Sequence, residues 1–219
     1  MYQNYLVEKY QIIHKVKKMI AILDYGMGNL KSIYNMFKKI GIESIITSDI
    51  DDIKKANKYL LPGVGSFDHG ITNLKNALFF ETLEKEVLEN KKPILGICLG
   101  MQLLTNGSEE GKERGLGWMD ADTIKFELED KSLSIPHMGW NRTKPTNANN
   151  IFKGLDKNRF YFVHSYHVTC NNNKNILATT NYGSEFISSI YKDNIYGVQF
   201  HPEKSHKFGM QLFKNFGEI

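Results

Sequence analysis

Cysteine is scarce in this chain, with Cys98 and Cys170 the only two among 219 residues. Two cysteines are too few for the disulfide framework of a small secreted protein, which predicts a reducing, cytoplasmic environment and a free thiol at position 98. Residues 1–18 interleave apolar and basic side chains without the sustained apolar core of a signal peptide. We expect them to form an extension, disordered or a short helix, ahead of a domain that spans residues 19–219.

A strong excess of charge is also missing. The net charge is +4 and the lysines and arginines are scattered through the chain, so neither a nucleic-acid partner nor a membrane is expected. Hydrophobic residues make up 41% of the sequence, which is enough for one well-buried α/β domain of this length.

Signals for a metal or a cofactor are weak. His164, His167 and His206 have no cysteine cluster beside them and form no His-x-x-x-His helix, so no metal site is predicted. Gly26-Met27-Gly28 follows the first predicted strand, where a glycine-rich loop can hold a dinucleotide pyrophosphate. The third glycine of that motif is absent, because Lys31 stands where close packing is needed. We therefore predict no bound cofactor.

The sequence does contain a regular alternation of buried β runs and helical stretches. Strands are predicted at 19–24, 44–47, 59–61 and 94–97, and helices at 29–40 and 79–89. After Leu116 the pattern changes to short β runs at 123–128, 160–163, 176–180, 186–191 and 195–200, with a last helix at about 207–216. These elements predict a mostly parallel, doubly wound α/β sheet flanked by helices, with a strand-rich antiparallel extension in the second half.

Residues 93–100, Pro-Ile-Leu-Gly-Ile-Cys-Leu-Gly, are typical of a buried strand that turns sharply through a cysteine into a helix. Gly96 and Gly100 leave room for a strained turn that presents the sulfur of Cys98 to a substrate carbonyl. The start of the following helix favours an anion, which helps the thiol to become a thiolate. An isolated cysteine is more often an inert core residue, so the nucleophile hypothesis requires a base.

A candidate general base, and a carboxylate that could orient it, lie near the other end of the chain. Residues 198–203, Val-Gln-Phe-His-Pro-Glu, are interpreted as the end of an apolar strand whose alternation directs His201 and Glu203 to the same side. His201 would form an ion pair with the thiolate, and Glu203 would accept from the other ring nitrogen. The sequence thus predicts a Cys98–His201–Glu203 triad.

Donors for a developing oxyanion are predicted at two places. The Leu99 amide follows the nucleophile, and the turn at 62–65, Pro-Gly-Val-Gly, can aim an N–H of Val64 or Gly65 at the same point. Taken alone, this turn also fits a plain strand-to-helix connection.

Six blocks of residues, in order along the chain, carry a resemblance to a known family. They lie at 22–30, 61–65, 95–104, 136–141, 161–166 and 196–205, and the Pro-His-Met-Gly-Trp-Asn block at 136–141 is the most specific. The chain resembles the class I glutamine amidotransferases, which use a Cys-His-Glu triad, and among them the glutaminase subunits of imidazole glycerol phosphate synthase. The resemblance extends from Met19 almost to Ile219 and implies the flavodoxin-like α/β fold of that family.

The resemblance implies that the substrate is L-glutamine. Cys98 would attack the side-chain amide to give a γ-glutamyl thioester and ammonia, and water would then release glutamate. Further positions match the family's substrate contacts: Gly65, Gln102, Glu110 and the main chain of Ser165 and Tyr166. Glu110, which follows Glu109, also fits an ordinary solvated charge.

The resemblance also implies a protein partner, the (β/α)8-barrel cyclase subunit of imidazole glycerol phosphate synthase or its paralogue. Positions that match the family's partner-facing surface are Gly26, Met27, Gly28, Asn29, Trp140, Tyr161 and Lys204. An interface role for the loop at 26–29 explains its glycines without a dinucleotide. The family further implies that the donor near Val64 forms fully only when the partner is occupied.

The leading hypothesis is a glutaminase that supplies ammonia for imidazole glycerol phosphate and AICAR in histidine biosynthesis. The same chemistry could serve a sugar amidation in surface-glycan synthesis, because motifs that make ammonia do not identify its acceptor. Three further alternatives remain. The protein is a catalytically silent subunit that regulates a barrel enzyme, or it is a Cys-type peptidase, or it is a γ-glutamyl hydrolase.

Overall fold

The computed structural model describes residues 19–146 and 150–219, so the predicted extension at 1–18 lies outside the described residues. Strands and helices alternate through the first half. They are β1 (Ile20–Leu23), α1 (Leu30–Lys39), β2 (Ser44–Thr47), α2 (Ile50–Lys55), β3 (Lys58–Gly63), α3 (Phe67–Asn76), α4 (Phe80–Leu88), β4 (Ile94–Cys98) and α5 (Leu99–Leu103).

The second half consists mainly of strands. They are β5 (Ala121–Lys125), β6 (His137–Asn141), β7 (Thr143–Pro145), β8 (Phe160–His164), β9 (Tyr166–Cys170), β10 (Ile176–Tyr182), β11 (Ser184–Lys192) and β12 (Ile195–Val198), followed by α6 (His206–Glu218). None of the helices in the described part of the chain is long and apolar enough to cross a membrane.

The parallel part of the sheet has the strand order β2-β1-β3-β4-β12. Gly63 pairs with Cys98 and Val198 pairs with Ile97, so β3, β4 and β12 end at nearly the same level. Because parallel strands place their carboxyl ends at one edge, the turn at 62–65, Cys98 and the segment after Val198 meet there. This edge holds the candidate site.

The antiparallel part continues the same sheet as β12-β11-β10-β7, and β9 joins β11 and pairs with β5. A separate two-stranded ribbon pairs β6 with β8, with His137 opposite His164. The predicted mostly parallel sheet with an antiparallel extension is therefore confirmed.

Two apolar layers cover the faces of the sheet. One includes buried side chains of α2, α3, α4 and α5, and the other includes those of α1 and α6. In the second layer Phe37 of α1 stacks on Phe213 of α6 with ring centroids 4.6 Å apart. Burying a phenylalanine side chain stabilises the fold by about 1.5–3 kcal/mol, so such pairs hold the helices against the strands that carry the site.

The sequence did not predict every element. α3 was missed because Gly70 weakens its helical pattern. Ser66 stands at its N-cap but makes no side-chain hydrogen bond to the first turn. The carboxylate of Glu110 instead accepts a hydrogen bond from the Phe67 N–H at 2.9 Å, across 43 residues of sequence. The strand predicted at 123–128 lies at Ala121–Lys125, shifted toward the N-terminus by pairing with β9.

Candidate active site

Cys98 lies at the sharp junction between β4 and α5. Its φ of 54° and ψ of −112° are unusual for a residue other than glycine, and such a sparsely populated backbone conformation costs about 1–3 kcal/mol. The close approach of strand and helix maintains it: a Cβ on Gly96 would lie 2.6 Å from the Gly100 carbonyl oxygen, and one on Gly100 would overlap the Leu61 carbonyl. The predicted strained turn, with two glycines making room for it, is confirmed.

The thiol of Cys98 is nearly buried among polar groups. Its Sγ lies 3.9 Å from the Val163 carbonyl oxygen, and Nε2 of Gln199 donates to the sulfur at 3.7 Å. An amide hydrogen directed at sulfur favours negative charge on it. Sequence reasoning missed Gln199, although it stands two residues before His201 in the block that was singled out.

His201 and Glu203 form a buried ion pair. Nδ1 of His201 lies 2.8 Å from Oε1 of Glu203, and the two side chains are 1% and 2% exposed. A carboxylate accepts, so Nδ1 carries the hydrogen, and Nε2 is buried with no hydrogen-bonding nitrogen or oxygen among the described residues. Burial opposes a charge on the ring, but the Cys98 sulfur and the Glu203 carboxylate raise the pKa of His201 to about 10.

The path of the chain between His201 and Glu203 differs from the one predicted. Strand alternation is wrong as the reason for their approach, because β12 ends at Val198 and the turn Pro202–Lys204 is a 3-10 helix. Pro202 has no N–H to continue a strand ladder, and its fixed φ suits the first position of a helical turn. His201 is held by its own N–H, which donates to the Tyr161 carbonyl at 2.8 Å.

A cavity of about 330 Å³ opens in front of Cys98. Its lining includes every predicted nucleophile, base, oxyanion and substrate-contact residue, and Glu203 lies behind His201. The lining residues are Val64, Gly65, Cys98, Leu99, Gln102, Glu110, Pro136, Val163, His164, Ser165, Tyr166 and His201. Pro136, Val163 and His164 were not predicted, and they reach the cavity through the β6–β8 ribbon.

The predicted oxyanion donors lie at two sides of this cavity. Leu99 is the first residue of α5, and the turn after β3 brings Gly65 in with a φ of 108°. Val64 is 44% exposed at the mouth. The structure thus places Val64 and Gly65 of the turn at 62–65 in the same cavity as Cys98.

Gln102 and Glu110 both have partners inside the protein. Nε2 of Gln102 donates to the Tyr166 carbonyl at 3.2 Å and to Oε1 of Gln199 at 3.0 Å. Oε2 of Glu110 accepts from the N–H of Phe67 at the start of α3. Glu110 is therefore not only a solvated charge, because its carboxylate connects its loop to the helix that follows the turn at 62–65.

The histidines near the cavity form a hydrogen-bonded chain. Nδ1 of His164 donates to the Tyr166 carbonyl at 2.8 Å, and Nδ1 of His137 lies 3.0 Å from Nε2 of His164. Burial lowers the pKa of His137 to about 4 and that of His164 to about 3, so both rings are neutral. Among the described residues no group of His, Cys, Asp and Glu side chains could hold a metal ion.

The predicted partner-facing residues fall into two groups. In the first, the loop at 26–29 lies beside the oxyanion turn, with Gly28 against Pro62 and Met27 against Gly65. In the second, the 39% exposed Trp140 lies edge-on to Tyr161 with centroids 6.1 Å apart, and Nζ of Lys204 lies 5.7 Å from the Tyr161 ring centre. The first group thus contacts the turn at 62–65, and the second includes Tyr161, whose carbonyl accepts the His201 N–H.

Comparison with known proteins agrees with this fold. The model of the family "Glutamine amidotransferase class-I" matches residues 21–218. The imidazole glycerol phosphate synthase subunit HisH 2 of Methanococcus maripaludis is 60% identical, and the alignment covers 90% of this chain and 98% of that protein. HisH 2 of Pseudomonas aeruginosa is 46% identical, with 92% and 100% covered.

Solved structures share the fold at low sequence identity. PurLQS from Thermotoga maritima superposes with a TM-score of 0.68 at 20% identity, covering 91% of this chain and 97% of that one. A glutamine amidotransferase from the same organism gives 0.61 at 15% identity, covering 92% and 83%.

The chain belongs to the class I glutamine amidotransferase family, and it is an enzyme subunit of that class. Its place within the family is with the glutaminase subunits of imidazole glycerol phosphate synthase, the HisH proteins. The resemblance inferred from the sequence blocks is confirmed.

Proposed function

We propose that this protein hydrolyses L-glutamine to glutamate and ammonia through a Cys98–His201–Glu203 triad and a γ-glutamyl thioester. The observation that carries the proposal is the common cavity in front of Cys98, which His201 also lines, with Glu203 hydrogen-bonded behind the imidazole. A nucleophile, a base and an orienter arranged in this way are the requirements for acyl transfer.

In the first step the thiolate of Cys98 attacks the side-chain amide carbon of glutamine. The proton of the thiol rests on Nε2 of His201, and it passes to the departing nitrogen so that ammonia leaves. Glu203 keeps the imidazole oriented and stabilises its positive charge. In the second step His201 takes a proton from water, which attacks the thioester carbon and releases glutamate and the Cys98 thiolate.

The negative charge that develops on the amide oxygen needs donors at the elbow. We assign this role to the N–H of Leu99 and to the N–H groups of Val64 and Gly65 in the turn after β3. Removing one such donor typically costs about 10²–10³ in kcat. Glutamine itself would be held by Gly65, Gln102, Glu110, Ser165 and Tyr166, all of which line the cavity.

Ammonia is useful to an acceptor only if it is delivered before water protonates it. We therefore propose a partner, the (β/α)8-barrel cyclase subunit, that forms imidazole glycerol phosphate and AICAR in histidine biosynthesis in the cytoplasm. Its docking surface would include Gly26, Met27, Gly28, Asn29, Trp140, Tyr161 and Lys204. The support for this surface is the exposure of Trp140 and its closeness to the triad through Tyr161, which hydrogen-bonds His201.

A second function, ammonia supply for a sugar amidation through a paralogous barrel partner, has one observation in its favour. The relatives from M. maripaludis and P. aeruginosa both carry the numeral 2 after the name HisH. Rescue of a histidine auxotroph that lacks its glutaminase subunit separates the two functions: growth supports the histidine pathway, and no growth of a strain that makes the soluble, active protein supports the other acceptor.

The glutaminase reaction is tested with the purified protein and its barrel partner. We expect glutamate release from glutamine, and we expect Cys98→Ala to abolish it, because no other group can form the thioester. Cys170→Ala is the matched control, since Cys170 lies on β9 outside the cavity, and it should retain normal turnover. Unchanged turnover in Cys98→Ala would contradict the mechanism, and no release by the wild-type complex would favour a silent regulatory subunit.

A further inference from the structure

The Cys98 sulfur receives a hydrogen bond from a side chain outside the triad and outside the proposed substrate contacts. Nε2 of Gln199 lies 3.7 Å from Sγ of Cys98, and Gln199 is completely buried. Gln199 directly follows β12, which pairs in parallel with β4, so the two residues lie side by side at the strand ends. A buried amide needs a hydrogen-bond partner, and here the partner of the Gln199 NH2 group is the sulfur of the proposed nucleophile.

The direction of the Gln199 amide is determined by its neighbours. A main-chain carbonyl can only accept, so the Tyr166 carbonyl requires that Gln102 presents its NH2 group, which it does at 3.2 Å. The second hydrogen of this NH2 group is donated to Oε1 of Gln199 at 3.0 Å. Because the Gln199 oxygen is used in this way, its own NH2 group faces the sulfur.

The side chain of Gln199 is not needed to hold the strand. The main-chain N–H of Gln199 donates to the Ser188 carbonyl at 2.9 Å, which continues the contact between the strands whatever side chain stands at position 199. The glutamine side chain instead extends toward Gln102 and Cys98.

We propose that Gln199 is a catalytic residue that donates a hydrogen bond to the Cys98 sulfur whenever this sulfur is negatively charged. In the proposed glutaminase reaction, on which this inference rests, the sulfur carries charge twice. It is a thiolate before attack, and it becomes a thiolate again when water attacks and the carbon–sulfur bond of the thioester breaks. A donor to an anion is about twice as strong as one to a neutral acceptor, so the amide favours both charged forms. Unlike His201, the amide neither takes nor gives a proton.

The test measures the thiolate directly by alkylation of Cys98 with iodoacetamide at neutral pH. Gln199→Met keeps a similar volume but removes the donor, and we expect the alkylation rate to fall about three- to tenfold. Gln199→Glu keeps an acceptor for Gln102 but places a second negative charge against the sulfur, and we expect a fall of at least about tenfold. Turnover of glutamine by the complex should fall less in Gln199→Met than in Gln199→Glu. The KM of Gln199→Glu should stay within about threefold of wild type.

Ser189→Ala is the matched control. Ser189 is also a buried polar residue, on the strand that pairs with β12, but its hydroxyl donates to the Gly197 carbonyl and has no contact with Cys98. We expect this variant to lower thermal stability and to leave the alkylation rate unchanged. A folded Gln199→Met that is alkylated at the wild-type rate would overturn the inference. Alkylation needs no glutamine, so this result is independent of whether the complex hydrolyses glutamine.

A measurement on the wild-type protein covers the case in which both variants fail to fold. The side-chain ¹⁵N amide resonance of Gln199 should shift when Cys98 is alkylated, because its acceptor loses the charge. The side-chain amide of Asn158, which is buried and donates to the carbonyls of Thr143 and Leu155, should not shift. A Gln199 resonance that stays in place on alkylation counts against the proposal as directly as an unchanged alkylation rate.

Discussion

At the scale of single residues, Glu203 has a demanding environment for a charge. Its side chain is 2% exposed, and Oε2 has no hydrogen-bond partner among the described residues. Burying a carboxylate costs several kcal/mol unless a partner compensates, and here the compensating group is the imidazolium of His201. In the proposed mechanism, the proton on His201 therefore stabilises both the Cys98 thiolate and the Glu203 carboxylate.

Replacing the Glu203 carboxylate by the neutral amide of glutamine tests whether catalysis depends on the charge pair with His201. In Glu203→Gln the imidazolium loses its counter-charge and the ring loses its only strong acceptor at Nδ1. We expect glutamate release to fall at least about 100-fold with little change in KM, because general acid–base catalysis contributes about 10²–10⁴ to the rate. Steady-state turnover of the complex measures this effect. Glu81→Gln, on the surface of α4, is the control, and more than a tenth of wild-type activity in Glu203→Gln would refute the assigned role.

Local residue patterns predicted the Cys98–His201–Glu203 set and the turn at 62–65, whereas the substrate contacts were named only through the family resemblance. The glycines around Cys98 and the proline between His201 and Glu203 are constraints that act within a few residues. Gln199 was missed because its role depends on a contact across two strands and on a hydrogen bond from Gln102, about a hundred residues away. No local pattern carries that information.

The elbow between β4 and α5 is the decisive feature at the scale of elements. It exists because β3, β4 and α5 approach each other more closely than side chains on Gly96 or Gly100 would allow. Gly100→Ala would place a methyl group onto the Leu61 carbonyl and push α5 away from β3. We expect a loss of about 3 kcal/mol in the free energy of unfolding and loss of Cys98 alkylation at neutral pH.

Urea unfolding of the variant and wild type measures this loss. Gly107→Ala is the control, because a Cβ there would lie no closer than 3.9 Å to its nearest neighbour, the Glu113 carbonyl oxygen. Equal urea midpoints for Gly100→Ala and Gly107→Ala would show that the close approach is not what maintains the elbow.

A clearly apolar face helped to predict an element from the sequence but did not ensure it, because α3 was missed although its buried Phe67, Ile71 and Leu74 lie at helical spacing. α1, whose Ile33 and Phe37 are buried at helical spacing, was found within one residue at either end.

β6 was missed because its burial runs against its polarity: the polar His137 is buried, whereas the apolar Met138 and Trp140 are exposed. β9 was missed because four of its five residues are only half-buried, so it shows no clear alternation. β6 forms through pairing with β8, and β9 through pairing with β5 and β11, all of them tertiary contacts.

At the scale of the whole molecule, the free energy of unfolding depends on pH through buried histidines. His137 and His164 are neutral in the fold, with pKa values lowered to about 4 and about 3 by burial, whereas an unfolded histidine titrates near 6.5. Between these values the unfolded chain binds more protons than the folded one, so stability falls as the pH is lowered from about 6.5 toward 4. For His164 the slope is on the order of 1 kcal/mol per pH unit.

The pKa of His201 is shifted in the opposite direction. It is raised to about 10, so its contribution is fully present below about 6.5 and is lost as the pH rises toward 10. We expect the free energy of unfolding, followed by urea titration from pH 4 to 10, to be greatest near neutrality. His137→Phe should flatten the acid side of the curve. Tyr182→Phe, which alters the ring stacked on His137 without removing a histidine, should leave that side as steep as in the wild type.

The strand order also determines when the proposed nucleophile can meet its proposed base during synthesis. Cys98 ends β4, but its base follows β12, about a hundred residues further along the chain, although the two strands are neighbours in the sheet. At about 5–20 residues per second, a ribosome needs on the order of ten seconds to make that intervening stretch. During this interval the nascent polypeptide carries a cysteine without its histidine, its carboxylate or its amide donor. The proposed triad can therefore assemble only after the strand that pairs with β4 on this side has emerged.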